Sequence, residues 1–125
     1  MASISLKKLV DKMKLENLTT EIDVESKRIT QSDLNRPALQ LAGYFAHFDA
    51  TRLQVIGNVE YTYLESVDVE TKKDIYEKLL SYNIPAVVFS RELQPDELFL
   101  ETAKSHGVPV LSTKKVTSAF MAEAI

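Results

Sequence analysis

No cysteine occurs anywhere in the 125 residues, which excludes disulfide staples, thiolate nucleophiles and cysteine-ligated structural zinc in one step. A thiol-free chain of this length buries an ordinary core without staples and suits a cytoplasmic setting. Glycine is almost as scarce. Gly43, Gly57 and Gly107 are not spaced to form G-x-x-x-x-G-K-[ST], so the backbone-amide cradle that phosphoryl transfer of the P-loop kind requires is missing. The two histidines, His47 and His106, are far apart and lack metal-ligand spacing, so a metal site on them would need carboxylates brought from elsewhere. Basic excess is lacking too: 15 Lys and Arg against 18 Asp and Glu leave a net charge of −3, which argues against a nucleic-acid binder. Long apolar runs are absent. Ala86 to Phe89 is far too short to span a bilayer, and MASISLKKL has no signal-like apolar core behind its charges, so no membrane association is expected.

What remains is a composition of 45% hydrophobic and 26% charged residues, that of one globular domain over residues 1–125. Leu6, Leu9, Val10 and Met13 share one face of a helix over Ser5 to Met13. Leu15 to Thr19 and Ile22 to Val24 read as short strands. Arg52 to Ile56 alternates as a half-buried strand does and stops at Gly57-Asn58, and Val59 to Ser66 favours helix over strand. Asp68 caps a helix carrying Ile75, Tyr76, Leu79 and Leu80, and Asn83 ends it before a strand over Ile84 to Phe89. Pro95 at a first helical position, with Asp96 and Glu97 behind it, starts a helix bearing Leu98, Phe99 and Ala103 that Gly107 closes, and a strand over Val108 to Leu111 follows. Strand, helix, strand, helix in this order spells parallel crossovers and hence an α/β fold, a small three-layer-type sandwich with a mostly parallel sheet. From Thr113 another helix begins, with Val116, Phe120 and Ala124 on one face and no stop signal behind them, which reads as a helix cut short.

The segment from Ile29 to Phe48 fits neither period. Asp33, Asn35, Arg36 and Pro37 crowd ahead of an apolar and aromatic stretch, and Pro37 should hold Arg36 extended while opening a short helix through Leu39 and Leu41. A carboxylate, an amide and a guanidinium within four residues either bind an anion or lock a turn, with Asp33 and Asn35 on backbone amides and Arg36 paired locally. Tyr44, Phe45 and His47 form an aromatic loop that either meets a partner or packs. Secondary candidates are Glu60, Tyr61 and Tyr63 on a concave surface, and Ser90, Arg91 and Glu92 at a strand end, where open α/β sheets bind ligands. Ser112 and Thr113 occupy an equivalent strand end, and His106 a helix carboxyl terminus, positions that capping alone explains.

The string DLNRPALQLAGYF, then Phe48, the R-x-Q-x-x-G of Arg52, Gln54 and Gly57, Tyr63-Leu64, and the later SYNIPAVVFSREL and HGVPVLSTKKVTS together resemble the amino-terminal domain of bacterial HPr kinase/phosphorylase over nearly the whole chain. The resemblance implies a regulatory and assembly domain of an enzyme that phosphorylates and dephosphorylates a serine of HPr in carbon catabolite repression. It implies a fold related to the substrate-binding domain of Mur ligases, and a hexameric parent whose P-loop kinase domain, with its ATP and Mg²⁺, begins after Ile125. Partners are then that kinase domain and other copies, with HPr met through the kinase domain, and weak dimerisation of the domain alone. Asp33, Asn35, Arg36, Tyr44, Phe45 and His47 are the candidate ligand or interface residues, and no catalytic, cofactor or metal residue is expected in this chain. The competing reading is a stand-alone binding module for a nucleotide sugar or phosphorylated metabolite.

Overall fold

The computed structural model describes residues 4–25, 27–29, 34–45 and 48–116. A two-residue strand β1 (Ile4–Ser5) runs into helix α1 (Leu6–Met13), followed by β2 (Glu16–Asn17), β3 (Arg28–Ile29), β4 (Leu34–Asn35), α2 (Ala38–Leu41), β5 (Leu53–Ile56), α3 (Asn58–Ser66), α4 (Val69–Leu80), β6 (Val87–Phe89), α5 (Glu97–His106) and β7 (Val110–Ser112). The main sheet has the order β2-β7-β6-β5-β4, with β4, β5, β6 and β7 parallel and β2 antiparallel on β7. A second sheet pairs β1 with β3.

Strand residues alternate between two cores, as the pleat dictates. Ile56, Val87, Phe89 and Val110 face a layer that contains Leu41 of α2, Leu64 of α3, Tyr76, Leu79 and Leu80 of α4, and Phe99 and Ala103 of α5. Leu53, Val55, Val88 and Leu111 face Leu6, Leu9 and Met13 of α1. The expected sandwich with a mostly parallel sheet is therefore present. One reading is corrected: β5 is buried on both sides rather than half-buried, because α1 covers the face of Leu53 and Val55 while the helix layer of α2 to α5 covers the face of Gln54 and Ile56 that the alternation left to solvent.

Several boundaries follow local chemistry. Ser5 caps α1, its Oγ accepting from Lys8 N at 3.2 Å, while Leu6 N and Lys7 N donate to Lys27 O and Val24 O. The strand expected over Ile22 to Val24 is instead this capping loop, turned by Ile22 N on Thr19 O and by Glu25 N on the Asp23 carboxylate. Pro37 is the residue before α2 rather than its first residue, and Pro95 lies one position ahead of Asp96, the true cap of α5. Asp68 and Gly107 end their helices as expected, Gly107 at φ 69°. The strand expected over Val108 to Leu111 is Val110–Ser112, starting two residues later and ending one residue later than the apolar run. Phe120 and Ala124 of the expected final helix lie outside the described residues.

Four aromatic rings knit α3, α4, α5 and β6 together: Tyr61 on Phe89, Phe89 on Phe99 and Phe99 on Tyr76, each edge to face. The Tyr76 hydroxyl donates to Asp96 Oδ2 at 2.9 Å, while Asp96 Oδ1 accepts from Phe99 N at 2.8 Å and Lys72 stands 3.5 Å away. Burial first, and the carboxylate beside it, push the Tyr76 phenol far above its ordinary value of 10.0. Asp96→Ala removes a helix cap and the acceptor of a buried hydroxyl, so a loss of about 2 kcal/mol in urea denaturation is expected. The raised phenol value means that the unfolded chain loses this proton first, so its contribution is intact below pH 10.0 and erodes as pH rises above it. Between about pH 9 and about pH 11, Tyr76→Phe should therefore lose less stability than the native chain; equal losses would remove Tyr76 as the cause.

Candidate functional site

The carboxyl ends of the parallel strands carry a group of polar and charged side chains, several of them buried. Arg36 follows β4 and precedes Pro37, whose ring bars it from continuing into helix. Its Nε and Nη2 donate at 3.2 and 2.7 Å to one oxygen of Glu60, which also accepts from Gly57 N at 2.7 Å. Glu60 is buried in the first turn of α3, where the helix dipole and the guanidinium both favour a carboxylate. Beside it, Asn35 Nδ2 donates to Gln54 Oε1 at 2.6 Å and to Gln40 Oε1 at 3.2 Å. Gln54 Nε2 and Gln40 Nε2 donate in turn to the carbonyls of Arg52 and Tyr44. Neither expected local arrangement forms: Arg36 pairs 24 residues away, and Asn35 bonds side chains rather than turn amides. The two residues clasp β4, α2, β5 and α3. Asp33 lies outside the described residues, as does His47.

Phe45 stacks on Tyr82 at 5.1 Å, Phe48 meets both rings edge-on, and Lys78 Nζ sits 4.7 Å over the Phe45 ring. Phe45 and Phe48 thereby belong to the edge of the helix-side core. Tyr44, at 50% exposure, does not, and Leu39 beside it is 61% exposed. Tyr82 and Lys78 went unread in the sequence, although an aromatic two residues past the last buried leucine of α4 is the kind of signal that marks them. His106 completes a bond to Glu77 at 2.7 Å, joining the ends of α5 and α4.

Hollows of different size mark the surface, one of about 420 Å³ lying between Arg28, Thr51, Tyr82 and Asn83. A cavity of about 120 Å³ lies between α3, α4 and α5, lined by the Tyr61, Tyr76 and Phe99 rings with Lys72 and Asp96. A crevice of about 480 Å³ opens where α1 ends against the carboxyl end of β7, walled by Lys14, Glu16, Glu92, Thr113, Lys114 and Lys115. Among the described residues no three His, Asp or Glu side chains gather to hold a metal, and no helix is long and apolar enough to cross a membrane.

The family model described as "HPr Serine kinase N terminus" matches residues 4–125. The HPr kinase/phosphorylase of Lachnoclostridium phytofermentans is 50% identical over 125 residues, spanning 100% of this chain and 40% of that protein. Its counterpart in Caldicellulosiruptor bescii is 42% identical over 114 residues, spanning 91% of this chain and 37% of that protein. The chain thus spans about 40% of the length of these curated relatives. Among solved structures, the CBS and DRTGG domains of the regulatory region of Clostridium perfringens pyrophosphatase, complexed with the activator diadenosine tetraphosphate, superpose with a TM-score of 0.64 over 97% of this chain and 47% of theirs. At 16% identity that likeness speaks for the fold alone.

Removing one partner of a buried ion pair costs several kcal/mol, but Arg36 is a third exposed, so Arg36→Ala is expected to cost about 2 kcal/mol. Combining it with Glu60→Gln, which keeps an acceptor for Gly57 N, should recover about 1 kcal/mol by double-mutant cycle. Additive losses in thermal and urea denaturation would show that the two side chains are not coupled.

Proposed function

Because the chain belongs to the HPr serine kinase N-terminal domain family, we propose that it is the regulatory and assembly domain of a bifunctional HPr serine kinase/phosphorylase, with phosphoryl transfer carried by the rest of the parent protein. One observation carries this reading: a chain that spans 40% of its relatives has no G-x-x-x-x-G-K-[ST] loop in its own sequence. ATP and Mg²⁺ then belong to the kinase domain, HPr is met there, and the setting is carbon catabolite repression in a bacterial cytoplasm. The same reading keeps the likeness to the substrate-binding domain of Mur ligases, supported by a mostly parallel sheet covered on both faces. The chain alone should show no ATP-dependent phosphorylation of HPr. In the parent enzyme, deleting residues 1–125 should leave phosphoryl transfer detectable while altering its regulation or its oligomeric state. Transfer by the isolated chain, or a deletion that changes neither regulation nor assembly, overturns the proposal.

Assembly has a surface to use. Leu39 and Tyr44 are exposed beside the aromatic cluster, whereas Phe45 and Phe48 are committed to packing. In sedimentation the chain is expected to self-associate weakly, and Leu39→Ser with Tyr44→Ser to abolish this without a change in melting temperature. Phe45→Ser should instead lower the melting temperature. A strict monomer at high concentration removes this surface from the account.

A further inference from the structure

Residues Ser90 to Leu93 make a tight turn, closed by Leu93 N on Ser90 O at 3.0 Å, with Arg91 at φ 58° and Glu92 at φ 57°. Positive φ at both central positions is the conformation for which Asn-Gly is the favoured pair; Arg and Glu adopt it at a cost of about 1 kcal/mol each. The backbone is pinned there, Arg91 N donating to Lys115 O and Glu92 N to Thr113 O, both at 2.9 Å. The described residues give no return for that cost through Arg91, whose guanidinium makes no hydrogen bond or ion pair with them. Lys14, at the end of α1, is likewise left-handed at φ 54°. The remaining non-glycine residue of this kind among those described is Asn83, a type that tolerates the conformation, on another part of the surface.

Lys14 and Glu92 wall the 480 Å³ crevice, and Arg91 adjoins it in the chain. The crevice lies outside the carboxyl ends of β6 and β7, and β7 is the strand where the parallel order gives way to antiparallel β2. Helix α5 leads into β7 from one face and α1 leads toward β2 from the other, so the covering layers part there, which is where open α/β sheets admit ligands. The ammonium groups of Lys14, Lys114 and Lys115 share the wall with the carboxylates of Glu16 and Glu92. The Lys114–Glu92 pair at 3.6 Å is loose, with Lys114 89% exposed, and an incoming anion competes with it easily.

We propose that this crevice binds a phosphorylated small molecule, with Lys14, Lys114 and Lys115 on its phosphoryl oxygens and the strained turn at Arg91 and Glu92 holding the mouth open. A volume of about 480 Å³ suits a ligand of metabolite size. The proposal stands on this chain and does not depend on its role in a larger enzyme.

The test titrates the ¹⁵N-labelled chain with sodium pyrophosphate at constant ionic strength, reading backbone amide shifts. Saturable shifts confined to the amides of Arg91, Glu92, Thr113, Lys114 and Lys115 are expected. Lys14→Gln with Lys114→Gln and Lys115→Gln should weaken binding about tenfold, and exposed Lys114→Gln alone, which has no fold to disturb, about threefold. Arg91→Asn with Glu92→Gly should raise the melting temperature and weaken binding. Non-saturating shifts shared with Lys7, Lys8 and Lys73, or an affinity untouched by Lys114→Gln and the triple change, overturn the site. A raised melting temperature with binding unchanged overturns the role given to the turn.

Discussion

Four parallel strands lie in the sheet in the order in which they occur in the chain, and most of the molecule follows from that one constraint. Each step from β4 to β5, β6 and β7 moves the same way across the sheet. Crossovers of a single hand must then place every intervening helix on the same face. That is where Leu41, Leu64, Tyr76 and Phe99 gather. The opposite face, equally apolar along Leu53, Val55, Val88 and Leu111, is covered among the described residues chiefly by α1, with Leu6, Leu9 and Met13. A steady strand order also leaves no reversal of direction within the parallel block. The layers part only at its β7 end, where β2 returns antiparallel, so the crevice is a consequence of topology rather than of any particular side chain.

The other end of the block poses a register problem. β4 has two residues, too few for an apolar pattern to fix its pairing, and a slip by one would turn Leu34 to the wrong face. Backbone bonds alone are indifferent to such a slip. The side chains are not: Asn35 must meet Gln54 and Gln40, and Arg36 must meet Glu60. A buried carboxylate is a poor source of net stability, because its desolvation offsets much of its attraction to the guanidinium. Its value here is that the correct register satisfies several polar groups at once, whereas a slipped one deprives buried Glu60 of Arg36 and buried Gln54 of Asn35.

The legible parts of the sequence were those with local causes. Asp68, Gly107 and the apolar faces of α1, α4 and α5 act within a turn or two of themselves, so caps and periodicity locate them. Strand β4 left no such mark, since a two-residue element held by distant amides has no period. The strand expected over Ile22 to Val24 fails for a related cause: both residues look like strand because they are branched and apolar, yet Lys7 needs a carbonyl from that loop. The candidate cluster at Asn35 and Arg36 was visible as residue types out of period, but its partners were not, because Glu60 and Gln54 lie 24 and 19 residues away. Family resemblance supplied what periodicity lacked, naming the segment without saying what it touches.

The polar edge of the sheet therefore divides in two. At β4 and β5 the amide and guanidinium donors meet acceptors, and the described backbone there has no left-handed residue outside glycine. At β6 and β7 left-handed Lys14 and Glu92 wall a hollow, with left-handed Arg91 next to Glu92 in the chain, and the Lys114–Glu92 pair is loose. A chain under selection for stability alone would relax such positions with glycine or asparagine, as it does at Gly107 and Asn83. Local rules are broken where something other than folding benefits. On that reasoning the segment that stands out in the sequence is the lock of the fold, and the quieter strand ends opposite it are where the domain meets its chemistry.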